Sequence, residues 1–577
     1  MSSATWNPQP TSNDWDTAGN WSNNEIPTDT ARFSSTSQTQ ISFSQVAGSS
    51  IGQIAFDSEA PTYSFNFTAA SPSAPTLLLT GSGVANDSGL PQTFVVAASS
   101  AGYQNPQLKF ANSASAGGCN NYYVAGPASP QDAGGGVIRF VNQASAGNAN
   151  FMAWTGAGTP PESGSTVGGE ISFGDSATAA TASFTIYGSL GSDGDTFGNA
   201  VFHDQASAAS ATFTNVGGTV SGGDGGNTQF YDNANAASAY FYNQGGSCAQ
   251  ANGGDVAFDG SASAGNAHFY NYAAPAAGAY GGVTSFNNNP PTTSSGGASA
   301  GSGHFFNFGA RNGALGGGGH VEFTAKYGSA TAATGCFNNY GSDIAGNASA
   351  GHSIFSISGS SPYCPSAGNA VFYNHPAVAA GGAAGFTEFA VYTDSSAGTG
   401  AAASSAGPTA ANATLYNLGA YLAGAAGGYT SFSGSSQAGS ATLIAHGGTQ
   451  GGYGGKIVFY DQSAGATASV SLDGNGELDL SDHDGPLTLA NLVLNGGILR
   501  LQLSGTTTTL NLSGSLLLNG GCSFDFTDTS VTAGTPYTLL NAPNLALYAA
   551  SQFAGNPVAG LQPSFSLNGT ELQVTFA

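Results

Sequence analysis

Aromatic residues recur at regular intervals through the middle of the chain, and small or polar residues fill the space between them. Phe140 is followed eleven positions later by Phe151. The same spacing joins the following pairs: Phe173 and Phe184, Phe202 and Phe213, Phe230 and Phe241, Phe258 and Phe269. The first members of the last three pairs are 28 residues apart, and Phe286 continues the series. A repeat of about 20–50 residues indicates a solenoid, a propeller or an array.

Around these aromatics, apolar and polar residues alternate in short stretches, as in residues 51–56 and 63–67. Alternation with a period of two, bounded by Gly, Ser, Asn and Pro, predicts strands, and no stretch shows a helical period. We place the two aromatics of each repeat on two strands of one coil. Each strand then pairs with its copy in the next coil, about 4.8 Å away, and the Phe side chains stack inside. The pattern predicts an all-β protein, a single elongated parallel β-helix with capped ends.

The pattern changes along the chain and predicts four segments. Residues 1–34 contain three of the four tryptophans and are interpreted as an N-terminal cap. Residues 35–477 form the β-solenoid of about 28-residue aromatic repeats, with insertions at Pro160-Pro161, at Pro290-Pro291 and around 397–408. Leucines replace the aromatics in residues 478–536, which we interpret as further solenoid coils with a leaner core. Residues 537–577 are interpreted as a C-terminal cap that covers the last strand edge.

The composition restricts the classes of partner. Only 7 of the 577 residues are Lys or Arg, against 31 Asp or Glu, and the net charge is -24. Nucleic acids and anionic membranes both require a basic surface, so neither is an expected partner. No apolar run is long enough for a transmembrane helix. The first residues lack the basic and apolar regions of a signal peptide, and we expect a secreted protein whose signal is absent from this numbering.

Several phrases resemble a known group of bacterial proteins. These are Trp15 with Asn20-Trp21-Ser22 and Asp29-Thr30-Ala31-Arg32-Phe33, the Ser-Ala-Gly-Asn-Ala phrase at 145–149 and 263–267, and residues 534–540. They are similar to autotransporter-type passenger proteins that carry the autotransporter-associated β-strand repeat. The resemblance implies a right-handed parallel β-helix that is displayed on, or released from, a bacterial surface. No membrane β-barrel follows the repeats here, so we expect a general secretion route.

Two polar columns accompany the aromatics. The first follows the second aromatic of each pair and contains Asn215, Asn243, Asn271, Asn307, Asn339 and Asn417. If these stack in register, their amides can form a hydrogen-bonded ladder; isolated asparagines in left-handed turns are the alternative. The second lies two residues after the first aromatic and contains Asn112, Asn142, Asp175, Asp204, Asp232, Asn288, Asn374 and Asp461. Stacked carboxylates repel, so they face water or a cation such as Ca²⁺ bridges them, which makes Asp175, Asp204 and Asp232 weak metal candidates.

Other motifs carry little catalytic information. Residues 48–52 and 297–301 match the nucleophile-elbow pattern, but that motif requires a strand-to-helix turn. Residues 473–477 resemble a calcium loop and lack its twelve-residue pattern. The eight histidines are scattered and are interpreted as exposed, and the seven basic residues show no evident cluster. Cys336 and Cys364 could pair on adjacent coils, although small buried side chains are the simpler interpretation for the five cysteines.

The sequence therefore predicts an extracellular or cell-surface structural and adhesive β-solenoid that presents tyrosines and insertions to partners. End-to-end or lateral self-assembly into fibres is one variant, so that the partner is a second copy of the chain. A cell-surface or matrix polysaccharide is another partner. The alternative function is a carbohydrate-binding or carbohydrate-cleaving β-helix. A face with two carboxylates and several aromatics would favour that alternative. We expect no enzyme activity and no cofactor apart from the Ca²⁺ alternative.

Overall fold

The computed structural model describes residues 2–44, 48–68, 75–98, 106–127, 135–155, 168–189, 197–287, 297–311, 313–325, 328–346, 349–358, 363–392, 407–503, 509–528 and 530–577. The predicted insertions at Pro160-Pro161 and Pro290-Pro291, and most of residues 397–408, lie outside these ranges. The described chain forms two compact units. Unit 1 comprises Met1–Tyr270, Ala274–Thr284 and Pro291–Ser295; unit 2 comprises Asn271–Ala273, Ser285–Pro290 and Gly296–Ala577.

The described elements are short strands and three 3-10 helices, Ala18–Asn20, Leu545–Leu547 and Ala550–Gln552. The first twenty strands are β1 (Ala4–Thr5), β2 (Thr30–Phe33), β3 (Gln40–Ser42), β4 (Ser49–Phe56), β5 (Ser64–Thr68), β6 (Thr76–Asn86), β7 (Gln92–Ala98), β8 (Gln107–Phe110), β9 (Asn121–Pro127), β10 (Val137–Phe140), β11 (Asn150–Ala153), β12 (Glu170–Phe173), β13 (Ser183–Ile186), β14 (Asn199–Phe202), β15 (Thr212–Asn215), β16 (Asn227–Phe230), β17 (Tyr240–Asn243), β18 (Asp255–Phe258), β19 (His268–Asn271) and β20 (Val283–Phe286).

The remaining strands are β21 (His304–Asn307), β22 (His320–Thr324), β23 (Cys336–Asn339), β24 (His352–Ser358), β25 (Val371–Asn374), β26 (Phe386–Tyr392), β27 (Thr414–Asn417), β28 (Tyr429–Phe432), β29 (Thr442–Ala445), β30 (Lys456–Phe459), β31 (Ser469–Asp479), β32 (Leu487–Leu489), β33 (Asn491–Leu501), β34 (Leu510–Leu512), β35 (Leu516–Leu518), β36 (Cys522–Phe526), β37 (Tyr537–Asn541), β38 (Phe553–Gly555), β39 (Pro563–Asn568) and β40 (Glu571–Phe576).

Within each unit, alternate strands pair in parallel and in register. In unit 1 the even-numbered strands β8 to β18 pair in one stack and the odd-numbered strands β9 to β17 in another. In unit 2 the same holds for β22 to β30 and for β21 to β29. One coil therefore contains one even-numbered strand, a turn, one odd-numbered strand and a second turn. This arrangement confirms the prediction of an all-β parallel β-solenoid.

The paired aromatics form two buried columns, as predicted. In unit 2, Phe323, Phe355 and Phe389 on the even-numbered strands stack with ring centroids 4.5–4.8 Å apart. Phe337 and Phe372 on the odd-numbered strands are 4.6 Å apart, and Phe337 meets Phe323 edge to face at 5.8 Å. All five are fully buried. Offset stacking along a column and edge-to-face contact between columns are both favourable aromatic geometries.

The turns explain the many small residues. Between β10 and β11, Asn142 and Gly147 have positive φ, and Ala144, Ala146 and Ala149 point into the core. Asn, Asp and Gly tolerate that left-handed backbone conformation better than other residues. On the other turn, adjacent coils touch through the backbone. A Cβ on Gly351 would overlap the carbonyl oxygen of Asn307 in the neighbouring coil, so only glycine fits there.

The first and last segments depart from the repeat. Trp6, Trp15 and Trp21 are buried, and the Trp21 ring meets the other two edge to face at 5.1 Å and 4.9 Å. At the other terminus, β37, β39 and β40 form an antiparallel arrangement, and β37 also pairs in parallel with β34. The leucine-rich segment remains sheet, because β31 and β33 pair in parallel with buried Leu492, Leu494 and Leu499.

Candidate functional site

The outer face of the even-numbered strands in unit 2 carries a group of titratable side chains on neighbouring strands. The first outward position of successive strands holds His320, His352, Phe386 and Tyr429, whose rings stack 4.7–4.9 Å apart and nearly parallel. Their backbones are in register on β22, β24, β26 and β28, which places one ring above the next. Because each inner ring has a neighbour on both faces, mainly ring edges and polar atoms remain for contact with solvent.

Two glutamates occupy the second outward position of this face. Glu322 and Glu388 both pair with Ile354, which lies on the strand between them. Two strand spacings separate their backbones by about 9.6 Å. Glu322 Oε1 lies 3.1 Å from His320 Nε2, and this hydrogen bond lowers the pKa of Glu322. Burial raises the pKa of Glu388, although Tyr392 donates a hydrogen bond to it. The face therefore holds one carboxyl group whose pKa is lowered by a hydrogen bond and one whose pKa is raised by burial.

The tyrosine and histidine side chains near these carboxyl groups have pKa values far from 7. Burial raises the pKa of Tyr392 to about 12, and the charges of Glu388 and Glu322 contribute to the shift. Burial also raises the pKa of Tyr429, with a further contribution from Glu388. Burial lowers the pKa of His352 to about 3. At neutral pH, His352 is therefore uncharged, and its Nδ1 lies 3.0 Å from the carbonyl oxygen of Ala350.

A compact charged cluster continues the same face on the last coils. Lys456 Nζ lies 2.6 Å from Asp479 and 3.1 Å from Glu477. Arg500 lies 3.4 Å from Glu477 and 2.7 Å from Asp525. Burial alone would lower the pKa of Lys456, but its contacts with the two carboxylates outweigh this effect and raise it. Lys456 and Arg500 thus share Glu477 and Asp479 as partners, and the carboxylates offset both positive charges.

The asparagines of the first predicted column form hydrogen-bonded ladders inside the units. In unit 1, Asn215 Nδ2 donates to Asn243 Oδ1 at 2.9 Å. In unit 2, the same bond of 2.8–2.9 Å joins successive members in this order: Asn271, Asn307, Asn339, Asn374, Asn417. Most Nδ2 atoms also donate to a strand carbonyl, such as Asn307 to His352 O at 3.0 Å. Hydroxyl groups such as Thr430 donate back to the amide oxygens. Because all of these asparagines are fully buried, the ladder belongs to the core and offers no contact to a partner.

One asparagine belongs to a different column from the one that the sequence predicts. The sequence predicts Asn374 in the acid and amide column, but its side chain lies in the ladder between Asn339 and Asn417. The prediction is wrong because Phe372, two residues earlier, lies on the odd-numbered strand β25 and is the second aromatic of its coil. Asn288 of the same predicted column lies outside the described residues.

The acidic column is held by backbone groups of the neighbouring coil. Asp175, Asp204 and Asp232 all have φ values of 56° or 57°. Asp175 Oδ2 accepts from the backbone N–H of Asn142 at 2.8 Å, Asp204 Oδ2 from that of Asp175 at 2.8 Å, and Asp232 Oδ2 from that of Asp204 at 3.2 Å. The backbone N–H group that donates to each carboxylate offsets part of the repulsion between that carboxylate and the next one. In the described part of the chain, no three His, Cys, Asp or Glu side chains converge on a point where a metal ion could bind.

The remaining motifs have structural surroundings. Residues 49–52 lie in strand β4, and the Ser299 hydroxyl accepts from the Gly301 N–H. In the calcium-like segment, Asp473 lies 2.9 Å from His446 and accepts from Asn495 at 2.8 Å. No disulfide joins any of the five cysteines, all of which lie within the described ranges, and only Cys522 is fully buried.

The expectation that the histidines are exposed was wrong for several of them. His320 and His352 stack within the outer face, and His483 is buried with its Nε2 2.8 Å from Ser463 O. Sequence reasoning missed this face because insertions change the coil length after Phe286. Aligning the chain on Phe323, Phe355 and Phe389 would have placed Glu322 and Glu388 at equivalent positions.

A scan against protein-family models and a search of curated proteins each found no match to the chain. Within the described residues, no helix has the length and apolar character needed to cross a membrane.

Proposed function

We propose that the protein is an extracellular or cell-surface structural and adhesive β-solenoid. The observation that carries the proposal is a strip of exposed apolar side chains in unit 2, which we call the turn strip: Val378, Tyr421, Leu422 and Tyr453. They are 39–63% exposed. The turns that carry them stack through the backbone, because Gly381 N–H donates to Gly424 O at 2.9 Å and Ala420 N–H to Tyr453 O at 2.8 Å.

Such a strip supports adhesion for two physical reasons. Exposed apolar side chains on neighbouring stacked turns can together form an apolar patch, and large patches of this kind mark contact sites. Tyrosine adds a hydroxyl group to a large apolar ring and is enriched at interfaces. The net charge of -24 repels nonspecific contact with anionic surfaces, so the partners that fit best are neutral: a cell-surface or matrix polysaccharide, or a second copy of the chain.

The stacked aromatic columns support the scaffold role more than the adhesive one. In unit 2, Tyr272, Phe308, Tyr340 and His375 stack with centroids 4.4–5.2 Å apart. A sugar ring binds an aromatic side chain through the open face of its ring, and these faces already contact each other. The columns therefore stabilise the sheet, and the turn strip provides the contact surface.

Adsorption of a matched pair of variants tests the proposal. The strip variant carries Tyr421→Ser, Leu422→Ser and Tyr453→Ser. The control carries Leu90→Ser, Tyr240→Ser and Tyr280→Ser, which remove the same residue types at similar exposure of 39–57% from separate places in unit 1. If each strip side chain contributes about 1 kcal/mol, the strip variant should bind roughly a hundredfold more weakly.

The measurement is binding of purified protein to an alkyl monolayer and to immobilised neutral polysaccharide on a quartz-crystal microbalance. Wild type and control should bind alike, and the strip variant should lose binding to at least one surface. Equal binding by all three proteins would refute the adhesive role. Electron microscopy of the same samples examines fibre formation.

Location outside the cell is part of this proposal. Burial raises the pKa of the Cys336, Cys364 and Cys522 thiols, the last to about 12. Thiols with raised pKa react slowly with oxidants, so these three of the five cysteines are compatible with an oxidising environment, while Cys119 is exposed. Protease treatment of intact producing cells should remove the protein while leaving a cytoplasmic marker intact. Complete protection that ends only on cell lysis would contradict the proposed location.

A second candidate function, carbohydrate cleavage, is favoured by Glu322 and Glu388. Their opposite pKa shifts match the requirements of an acid and a base. In this reaction Glu388 would donate its proton to the glycosidic oxygen as the C–O bond breaks. Glu322 would accept a proton from the water that attacks the anomeric carbon, and solvent would restore both groups. The backbones of the two glutamates are two strand spacings apart, about 9.6 Å, and a similar separation of their carboxyl groups would leave room for that water and give inversion of configuration.

Reducing-end release from soluble neutral glucans, xylans and mannans tests this candidate. Wild type and the exposed control Glu59→Gln should cleave a substrate, while Glu322→Gln and Glu388→Gln should each lose at least about a hundredfold in kcat/KM. NMR of the first product should show the inverted anomer. Absence of cleavage by wild type, or full activity in both glutamine variants, would remove the candidate.

A further inference from the structure

The last parallel strands of unit 2 have edges that would ordinarily accept another strand. In β35, Leu516–Leu518, one side pairs with β33. The other side directs the backbone groups of Leu516 and Leu518 away from β33. Unpaired N–H and C=O groups at such an edge form a template for strand addition by another chain. A parallel in-register solenoid is especially exposed to this, since its own copies have matching strands.

Side chains occupy this edge of β35. Asn544 Oδ1 accepts from Leu516 N–H at 2.9 Å, and Asn544 Nδ2 donates to Leu516 O at 2.8 Å. The Tyr548 hydroxyl donates to Leu516 O at 2.8 Å and accepts from Leu518 N–H at 3.2 Å. The 3-10 helix Leu545–Leu547 connects the two residues, and its fully buried Leu545 anchors it in the core.

The edge of the neighbouring strand β36 is also covered, partly by strand β38 and partly by an asparagine side chain. Its residues Cys522, Ser523 and Phe524 pair with β38, which ends at Gly555. Beyond that point Asn556 Oδ1 accepts from Phe526 N–H at 2.6 Å, and Asn556 Nδ2 donates to Phe526 O at 3.0 Å. An asparagine side chain thus replaces the peptide group that a longer β38 would have supplied.

An asparagine side chain can satisfy the backbone groups at a strand edge without creating a new strand edge. Its carbonyl and NH₂ groups match the N–H and C=O of one strand residue, so both backbone groups are satisfied. A covering strand would satisfy the same groups but would present a new unpaired edge on its far side. The tyrosine hydroxyl, which both donates and accepts, has the same property.

We propose that Asn544, Tyr548 and Asn556 form a built-in stop that prevents a strand of a second copy of the chain from adding to β35 and β36. The stop makes the backbone groups of Leu516, Leu518 and Phe526 unavailable for strand addition. Self-association, where it occurs, then uses other surfaces. The proposal does not depend on the adhesive role of the turn strip, which lies on different turns.

A triple substitution with a matched control tests the stop. The stop variant carries Asn544→Leu, Tyr548→Phe and Asn556→Leu, which keep side-chain size and remove the hydrogen-bonding atoms. The control carries Asn519→Leu, Tyr537→Phe and Asn541→Leu. These side chains hydrogen-bond to Asn495, Thr532 and Asn511 in the same region and cover no edge of β35 or β36.

Two measurements are made on the full chain at several protein concentrations. Hydrogen exchange should show the Leu516, Leu518 and Phe526 amides of the dilute stop variant exchanging at least about tenfold faster than in wild type and control. Analytical ultracentrifugation should show association that rises with concentration only in the stop variant, accompanied by renewed protection of the same amides.

Each other outcome overturns the proposal. Unchanged exchange would mean that these side chains do not cover the edge. Fast exchange without association at any concentration would mean that the open edge does not recruit a second copy. If the triple variant lacks the far-ultraviolet circular dichroism of wild type, the single Tyr548→Phe variant, which removes one oxygen atom, is assessed by the same two measurements, and unchanged exchange at Leu518 then refutes the proposal.

Discussion

The asparagine ladder of unit 2 should be a measurable source of local stability, and Asn339 is the residue at which to measure it. Its Oδ1 accepts from Asn307 Nδ2 at 2.8 Å and from Ser353 Oγ at 3.0 Å. Its Nδ2 donates to Asn374 Oδ1 at 2.9 Å and to Phe386 O at 2.8 Å. Asn339→Ala leaves two buried donors without that acceptor. At about 1–3 kcal/mol for each unsatisfied buried group, we expect a loss of about 2–6 kcal/mol.

The end of the ladder provides the comparison. Asn417 Oδ1 also accepts two bonds, from Asn374 and Thr430. Its buried Nδ2 has no partner among the described residues, and the next strand has Ala445 in register. Asn417→Ala therefore leaves two donors, Asn374 and Thr430, without their acceptor, but it also removes an N–H group that was unsatisfied. It should cost about 1–3 kcal/mol less than Asn339→Ala.

Hydrogen exchange followed by mass spectrometry is the appropriate assay, because a protein of two units need not unfold in one step. Peptides covering β23 and β25 should exchange at least about thirtyfold faster in Asn339→Ala, which corresponds to about 2 kcal/mol. Asn338→Ala is the control: it lies on the same strand, faces outward and should change stability by less than about 0.5 kcal/mol. Equal effects of Asn339→Ala and Asn417→Ala, or no effect of Asn339→Ala, would refute the reasoning.

Three further predictions concern the core, the turns and pH. Phe337→Ala should destabilise the β23 region by about 3–5 kcal/mol. Phe337→Leu should cost less, because the same column of odd-numbered strands contains Leu415 on β27 and Leu443 on β29. Hydrogen exchange of the β23 and β25 peptides distinguishes the two variants. Gly351→Ala should disrupt β24, because its Cβ would overlap Asn307 O, whereas Gly118→Ala, with open space around it, should leave the circular dichroism and the melting temperature unchanged. Burial lowers the pKa of His352 from 6.5 to about 3 and that of His375 to about 4. The unfolded chain therefore binds protons that the folded chain does not, so stability should fall as pH drops from about 6.5 toward 4, by up to about 1.4 kcal/mol per pH unit for each histidine. His352→Phe should reduce the slope of melting temperature against pH; an unchanged slope would contradict the assignment.

The sequence was most informative where the same residue type recurs in register. The spacing of Phe140 and Phe151 predicted two strands per coil, because in-register stacking requires each coil to repeat the previous one. The same logic predicted an asparagine column but misplaced Asn374, since an irregular coil length hides which strand a phenylalanine belongs to. The face with Glu322 and Glu388 could not be predicted from spacing alone. Glu322 and Glu388 occupy equivalent positions on their strands, but the turns between the strands differ in length. The two residues are therefore not separated by a multiple of the repeat length.

The edge stop lay beyond prediction for a different reason. Asn544, Tyr548 and Asn556 belong to no repeat, and each acts on a strand about thirty residues earlier. A side chain that replaces a backbone partner leaves no periodic signal, because it occurs once. Tryptophans such as Trp21 could be assigned to a terminal segment by composition alone, although their edge-to-face packing could not.

In-register stacking also explains the unusual composition. Every outward side chain meets the side chain of the next coil at about 4.8 Å, where two like charges repel by about 1 kcal/mol in water and several times more near the protein surface. Phenylalanine and asparagine tolerate their own copies, since rings stack and amides both donate and accept. Carboxylates persist where a backbone N–H intervenes, as at Asp204, or where the column alternates in sign, as in Asp479, Arg500 and Asp525 on β31, β33 and β36. A chain that stacks on itself therefore selects against charge, so the 7% of charged residues follows from the fold itself.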